Sequence, residues 1–173
     1  VLTTSALESC SLHRKDLLRN RATMALDAVH RGETEPPYAY VIPPGQEDPG
    51  TAEKLVELLR QNGILVRQNV REMTSGSRTI PPGSFLVYTA QPYRAFIREM
   101  MEPEAYPEVK AGPSSTDILG PYDVTAWTLP YLMGVHVDRL DAPVIGDAEP
   151  VLGFMSVFPW SDTGEATYAL SPR

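Results

Sequence analysis

Apolar positions near the start of the chain follow the period of an α-helix. Leu18, Ala22, Ala25 and Val29 are spaced i, i+4, i+7 and i+11, which places them on one stripe. The opposite face is basic and polar, and a glycine follows as a C-cap residue. We therefore predict an amphipathic connector helix over residues 12–31.

Short apolar runs on either side of a second helix indicate a βαβ unit. The runs "YAYVIPP" (38–44) and "ILVRQ" (64–68) are rich in strand-forming residues. Between them, Asp48 is a predicted N-cap, Pro49 suits the first helical turn and Gly63 ends the helix. Strand, helix and strand follow one another closely, so we expect a parallel, right-handed crossover.

Two further strands and two further helices complete the predicted domain. The strand at 84–90 is continuously apolar, as expected for a strand covered on both faces, and another strand is predicted at 135–140. Helices are predicted over 91–101 and over 124–133, the second capped by Asp123 and ended by Gly134. The residues expected to face inward from the first of these are Ala95, Phe96 and Met100. The pattern predicts a three-layer α/β fold with a mostly parallel sheet.

The chain divides into three predicted segments. Residues 1–35 hold a polar tail and the connector helix, and residues 36–141 hold the α/β domain. Residues 142–173 have a different character, with short β-like runs and no helical pattern. We interpret them as a β-rich extension, the start of a further unit that is cut away. An unpaired strand there would favour self-association through its edge.

The charge and the cysteine content of the chain limit the kinds of partner and site that are expected. The net charge of −7 disfavours binding to nucleic acid and to an anionic membrane surface. The single cysteine, Cys10, excludes a disulfide within the chain, and it lies in a polar tail rather than at a strand-to-helix turn typical of nucleophiles. No stretch is long and apolar enough to span a bilayer.

One motif suggests metal chemistry. His30 and Glu33 form an H-x-x-E, the spacing with which zinc carboxypeptidases place two ligands, and His136 follows about a hundred residues later. One hypothesis is therefore a free-standing zinc hydrolase that uses these three residues. The alternative is a surface histidine in the last turn of the connector helix, where a cation is favourable.

Polar and aromatic residues after the predicted strands form a second set of candidates. Ligands of parallel α/β sheets bind outside the carboxyl ends of the strands, which suggests a small-molecule binding module. The candidate ligand-binding residues are Gln46, Asp48, Gln91, Tyr93, Tyr122, Asp123 and Trp127. The alternatives are helix caps for the two aspartates, a backbone partner for Gln91 and packing for Tyr122 and Trp127.

Three long segments carry a resemblance to a known family. They are "RKDLLRNRATMALDAVHRGETEPPYAYVIPPGQEDPGTAEKLVELLRQNGI", "PPGSFLVYTAQPYRAFIREMMEPEAYPE" and "GPYDVTAWTLPYLMGV". They resemble the region that follows the peptidase domain in large bacterial zinc carboxypeptidase-like proteins (carboxypeptidase A-like metallopeptidases). The resemblance covers residues 12–140. It implies a flavodoxin-like, class I glutamine amidotransferase-like fold and a secreted or periplasmic parent protein.

The resemblance also implies what this chain does. The zinc and the hydrolase activity would belong to the upstream peptidase domain, and no cofactor is expected in this chain. Amidotransferases place a nucleophilic cysteine after a central strand, whereas "TAQPY" (89–93) has none. We therefore expect a non-catalytic accessory domain that packs on the peptidase domain of the same polypeptide. The loops at 91–93 and 122–127 are expected to help to bind peptide substrate.

Overall fold

The fold is mixed α/β, as predicted. A computed structural model describes residues 2–103, 109–110, 112, 116–120 and 128–152. Its elements are α1 (Leu2–Leu12), α2 (Arg14–Thr34), β1 (Ala39–Ile42), α3 (Pro49–Gln61), β2 (Arg67–Asn69), β3 (Met73–Ser75), β4 (Arg78–Ile80), β5 (Phe85–Tyr88), α4 (Arg94–Met101), β6 (Val109–Lys110), β7 (Ile118–Leu119), α5 (Leu129–Met133), β8 (Asp138–Leu140), β9 (Val144–Ile145) and β10 (Ala148–Pro150). None of the described helices has the length and apolar character needed to cross a membrane.

The main sheet is antiparallel, in place of the mostly parallel, flavodoxin-like sheet that the sequence predicted. Its strand order is β10-β2-β5-β1-β8, and each neighbouring pair is antiparallel. Strand β5 lies between β1 and β2 and pairs with both of them. The two strands of the predicted βαβ unit therefore run in the same direction but are not neighbours.

The physical reason for this difference lies in the segment between β2 and β5. That segment forms the antiparallel hairpin β3–β4, which starts a separate three-stranded sheet of order β4-β3-β9. The chain then returns and pairs β5 with β1 in the register Tyr40 with Val87 and Val41 with Leu86. The local pattern around α3 identifies a crossover, but it carries no information about a strand inserted from further along the chain.

The main sheet is covered on both faces, so the domain has three layers. Side chains alternate along β1, and Tyr40 and Ile42 join a core cluster with Leu55 of α3 and Ile97 of α4. The intervening Ala39 and Val41 join a second cluster, whose other buried members are Met73, Ile80, Leu86 and Leu140. The layers are therefore helices, main sheet and small sheet. This arrangement explains why all four residues of β1 are buried.

Helix α2 packs on the rest of the domain mainly through its C-terminal half. Gly32 is buried inside the helix rather than serving as its C-cap, because a Cβ atom there would overlap the backbone of Thr89 and Ala90. Ala25, Ala28 and Val29 are partly buried, whereas Leu18, on the same predicted stripe, is 71% exposed. The preceding residues, predicted to be a polar tail, form the exposed helix α1.

Helix α4 presents a different face to the core from the one predicted. Its buried residues are Arg94, Ile97 and Met101, while Ala95 and Phe96 are exposed. The prediction chose the apolar residues, but the i, i+3, i+7 face that meets the sheet begins with an arginine. This buried arginine is central to the candidate site.

The first part of the predicted C-terminal extension is integrated into both sheets. Strand β9 pairs with β3, and β10 pairs with β2 at one end of the main sheet. The remaining runs of that extension, residues 153–173, lie outside the described part of the chain.

Candidate functional site

A groove between α2 and α4, here called the α2–α4 groove, combines charged and apolar side chains. Its volume is about 650 Å³. Helix α2 contributes Met24, Asp27, Ala28 and Arg31, and helix α4 contributes Arg94, Ala95, Arg98, Glu99 and Glu102, with Pro103 at the end. The two alanines leave the groove open because their side chains end at Cβ.

Arg94 lies in the wall of this groove and is only 7% exposed. Its Nη2 donates hydrogen bonds to the backbone oxygens of Pro36 at 3.0 Å and Glu35 at 3.3 Å. Its Nε atom is buried and has no hydrogen-bond partner within the described structure. No described carboxylate forms an ion pair with Arg94. The guanidinium charge is thus met by two carbonyl groups at the end of α2, where a cation is favourable.

Glu102 lies at the other end of the groove and joins three elements. It accepts hydrogen bonds from the Tyr40 hydroxyl of β1 at 2.6 Å and from Arg98 Nη2 of α4 at 3.0 Å. Arg139 Nη1 of β8 is 3.2 Å from the same carboxylate. These contacts satisfy the carboxylate and hold α4 against the main sheet.

The contacts of Glu102 also determine the ionisation of this cluster. Burial alone would raise the pKa of Glu102, but hydrogen bonds from Arg98 and Tyr40, with the charges of Arg98 and Arg139, hold it below its usual value. Burial, followed by the hydrogen bond to Glu102, raises the pKa of Tyr40 far above its usual value. The carboxylate is therefore charged and the phenol neutral at physiological pH.

The other charges of the groove are not all paired. Arg31 Nε is 2.9 Å from Asp27 Oδ2, one turn earlier on α2, so these two side chains neutralise each other's charge. Glu99 is exposed and forms no ion pair among the described residues. Among the described residues, the α2–α4 groove thus offers one buried cation and one exposed carboxylate that lack partners of opposite charge.

Gln46 holds two loops together. Its Nε2 donates to the backbone oxygens of Pro43 and His136, each at 2.9 Å, and its Oε1 accepts from the His136 N–H at 2.8 Å. Both ends of the amide are therefore used by the backbone.

Asp48 is the N-cap of α3. Its carboxylate accepts from the Thr51 hydroxyl at 2.6 Å and from the Thr51 N–H at 3.1 Å, which confirms the predicted cap. These hydrogen bonds, that of the hydroxyl first, lower the pKa of Asp48.

Gln91 is 6% exposed and bonds only to backbone groups. Its Oε1 accepts from the Leu65 N–H at 2.8 Å, and its Nε2 donates to the oxygens of Leu65 at 3.0 Å and Tyr88 at 2.8 Å. The neighbouring Tyr93 is partly exposed, and the Arg21 guanidinium lies 5.8 Å from the centre of its ring. The structure does not bring Gln46, Asp48, Gln91 and Tyr93 into a shared cavity with Arg94.

Tyr122, Asp123 and Trp127 lie outside the described residues. Within the part of the chain that is described, no group of three His, Cys, Asp or Glu residues is arranged to hold a metal ion, so His30, Glu33 and His136 are not brought together. Cys10 is exposed on α1.

Sequence reasoning missed both ends of the α2–α4 groove. The i, i+4 spacing of Arg98 and Glu102 signals an ion pair on a helix. The sequence signal for the burial of Arg94 is weaker. It consists of the helical spacing that places Arg94 on the same face of α4 as the apolar residues Ile97 and Met101. The partners Tyr40 and Arg139 are remote in sequence, and no local pattern identifies them.

No protein-family model matches the chain, and no curated protein or solved structure is significantly similar to it.

Proposed function

We propose that this chain is a non-catalytic accessory domain of a zinc carboxypeptidase-like protein. It packs on the peptidase domain that precedes it in the same polypeptide, and it helps to bind peptide substrate. The zinc and the catalytic residues belong to the peptidase domain, and the parent protein is secreted or periplasmic. The resemblance of three segments, at residues 14–64, 81–108 and 120–135, supports the family.

The observation that carries the packing role is an uncovered apolar stripe on α2. The face of α2 that docks through Val29 and Gly32 continues toward the N-terminus as Ala25, Ala22 and Leu18, and Leu18 is exposed. Leu17 and Met24 flank this face on one side and are exposed as well. Burying apolar surface contributes about 25 cal/mol for each Å² removed from water. A neighbouring domain that extends the existing docking surface would gain this stabilisation.

The charge of α2 indicates the character of that neighbouring surface. The helix carries five basic and three acidic residues, a formal +2 in a chain whose total is −7. Opposite charges across an interface favour the correct pairing. We therefore expect the face of the peptidase domain that covers α2 to be acidic around an apolar centre.

The reading frame upstream of Val1 tests the family directly. We expect it to encode a peptidase region with an H-x-x-E motif and a distant histidine, each next to a strand-like run. A frame that encodes an unrelated domain would contradict the proposal.

Docking can be tested with the peptidase region and this chain produced separately. Cys10 is the single cysteine and is exposed, so a fluorophore attached there would report binding. The double change Leu17→Glu and Leu18→Glu is expected to weaken binding by about tenfold or more. The control is Thr23→Glu, at an exposed position of α2 that lies more than about 100° around the helix from Leu17 and from Leu18. Equal loss in both variants would count against the stripe.

A further inference from the structure

We propose that the α2–α4 groove binds the terminal carboxylate of a peptide, with Arg94 as its cationic partner. This inference rests on the proposed role in peptide binding and names the group that is recognised. The groove and the apolar stripe of Leu17, Leu18 and Met24 share one residue, because Met24 also lines the groove.

The first support is the state of Arg94. A guanidinium removed from water loses solvation, and proteins normally compensate with a carboxylate and a full set of hydrogen bonds. Arg94 Nη2 bonds to two backbone carbonyls, its Nε is buried without a partner, and no described carboxylate forms an ion pair with the guanidinium. A bound carboxylate would supply the missing charge.

The second support is the shape of the groove. Its volume of about 650 Å³ lies within the range of small-molecule sites in proteins, about 300–1,000 Å³. Met24, Ala28 and Ala95 give it apolar wall area between the charged groups. Such a space accommodates one or two residues of an extended peptide.

The third support is the balance of charge around Arg94. Arg31 and Arg98 are already paired with Asp27 and Glu102, so Arg94 is the arginine of the groove that lacks a carboxylate. A phosphate with two negative charges would lie near the acidic side chains of Asp27, Glu99 and Glu102, and Arg94 alone would be left to neutralise it. A single carboxylate is matched by one arginine, and a basic group elsewhere on the ligand is matched by Glu99. The groove therefore favours a peptide that ends in a basic residue.

The test is isothermal titration of the full chain with the tripeptide Ala-Ala-Lys and with its C-terminal amide. We expect the free acid to bind about tenfold or more tightly than the amide, because only the acid can form charged hydrogen bonds with Arg94. Glu99→Gln is expected to weaken Ala-Ala-Lys but not Ala-Ala-Ala. Inorganic phosphate is expected to compete poorly.

Two variants separate the site from a structural role of Arg94. Because Arg94→Lys could unfold a chain that relies on the contacts to Glu35 and Pro36, the groove is also filled by Ala95→Trp, a change at an exposed position of α4. We expect Ala95→Trp to abolish binding while the circular dichroism spectrum is unchanged. Ala22→Trp, at an exposed position of α2 that does not line the groove, is the matched control and is expected to bind normally.

Three outcomes would overturn the inference. They are equal binding of the acid and the amide, no binding of any peptide by the folded wild-type chain at about 1 mM, and normal binding by Ala95→Trp. Free lysine that binds as tightly as the tripeptide would overturn the assignment to peptides. None of these results bears on the upstream reading frame or on docking through Leu18, so failure here is distinct from failure of the proposed function.

Discussion

At the scale of single residues, the Glu102 carboxylate links three secondary-structure elements. Its carboxylate serves Tyr40, Arg98 and Arg139, which come from β1, α4 and β8. We expect Glu102→Gln to lower the free energy of unfolding at pH 7 by about 1–2 kcal/mol, because charged hydrogen bonds are lost. Urea denaturation measures this, with Glu99→Gln on the exposed side of α4 as the control.

The effect of Glu102→Gln should depend on pH in a defined direction. The folded-state pKa of Glu102 lies below its usual value, so the carboxylate contributes stability above the unfolded-state pKa of about 4.3. This contribution is lost as the pH falls through the lower folded value. The stability difference between wild type and variant should therefore shrink below about pH 4. A difference that stays constant down to pH 2 would show that charge is not its source.

Gln91 illustrates how a candidate ligand residue can act on the backbone instead. Its amide bonds to both polar groups of Leu65 and to the oxygen of Tyr88, in a site that is shielded from water. Gln91→Leu should leave the Leu65 N–H without its acceptor and cost about 1–3 kcal/mol of stability. The control is Gln61→Leu, since Gln61 is exposed on α3 and its side chain hydrogen-bonds to the Glu57 carboxylate rather than to a buried backbone group. Similar stability of the two variants would contradict this role.

At the scale of elements, Gly32 determines how α2 docks. Replacing glycine by alanine inside a helix normally stabilises it by about 1 kcal/mol. Here the new Cβ would overlap the backbone atoms of Thr89 and Ala90, which cannot move without disturbing the end of β5. We expect Gly32→Ala to destabilise the chain by about 1–3 kcal/mol, as overpacking does.

The control for Gly32→Ala is Thr23→Ala, at an exposed position of the same helix. Propensity alone predicts that this change is neutral or slightly stabilising. Thermal unfolding followed by circular dichroism compares the two variants. A stabilised Gly32→Ala variant would show that the end of α2 is not held against Ala90.

The same elements show what could be predicted from the sequence. Helix α3 was predicted correctly because its signals are local, from Asp48 and Pro49 at its start to the positive φ of Gly63 after its end. The neighbours of β1 were not predicted, because β5 pairs with it from more than forty positions away in the register Ala39 with Tyr88. Burial of Arg94 was missed for the same reason, since its hydrogen-bond partners lie on the connection after α2.

At the scale of the whole molecule, the chain has a packed body and an N-terminal arm, which we define as residues 2–21. The buried core residues lie in the body, and the apolar residues of the arm, such as Leu7, Leu12 and Leu18, are exposed. Segments with few buried contacts open locally at low cost in free energy, whatever the stability of the rest. The arm should therefore unfold locally far more often than the body.

Limited digestion with trypsin tests this division. The arm contains Arg14, Lys15, Arg19 and Arg21, and we expect the first cuts to fall there because cleavage requires local unfolding. Mass spectrometry should show these cuts before any at Arg67, Arg78 or Arg98, which belong to elements of the body. The body should keep its unfolding midpoint after the arm is removed, since the arm contributes no core residue. If the peptidase domain covers the stripe on α2, its addition should protect Arg19 and Arg21 from trypsin. First cuts in the body would instead mean that the arm is already held by contacts within this chain.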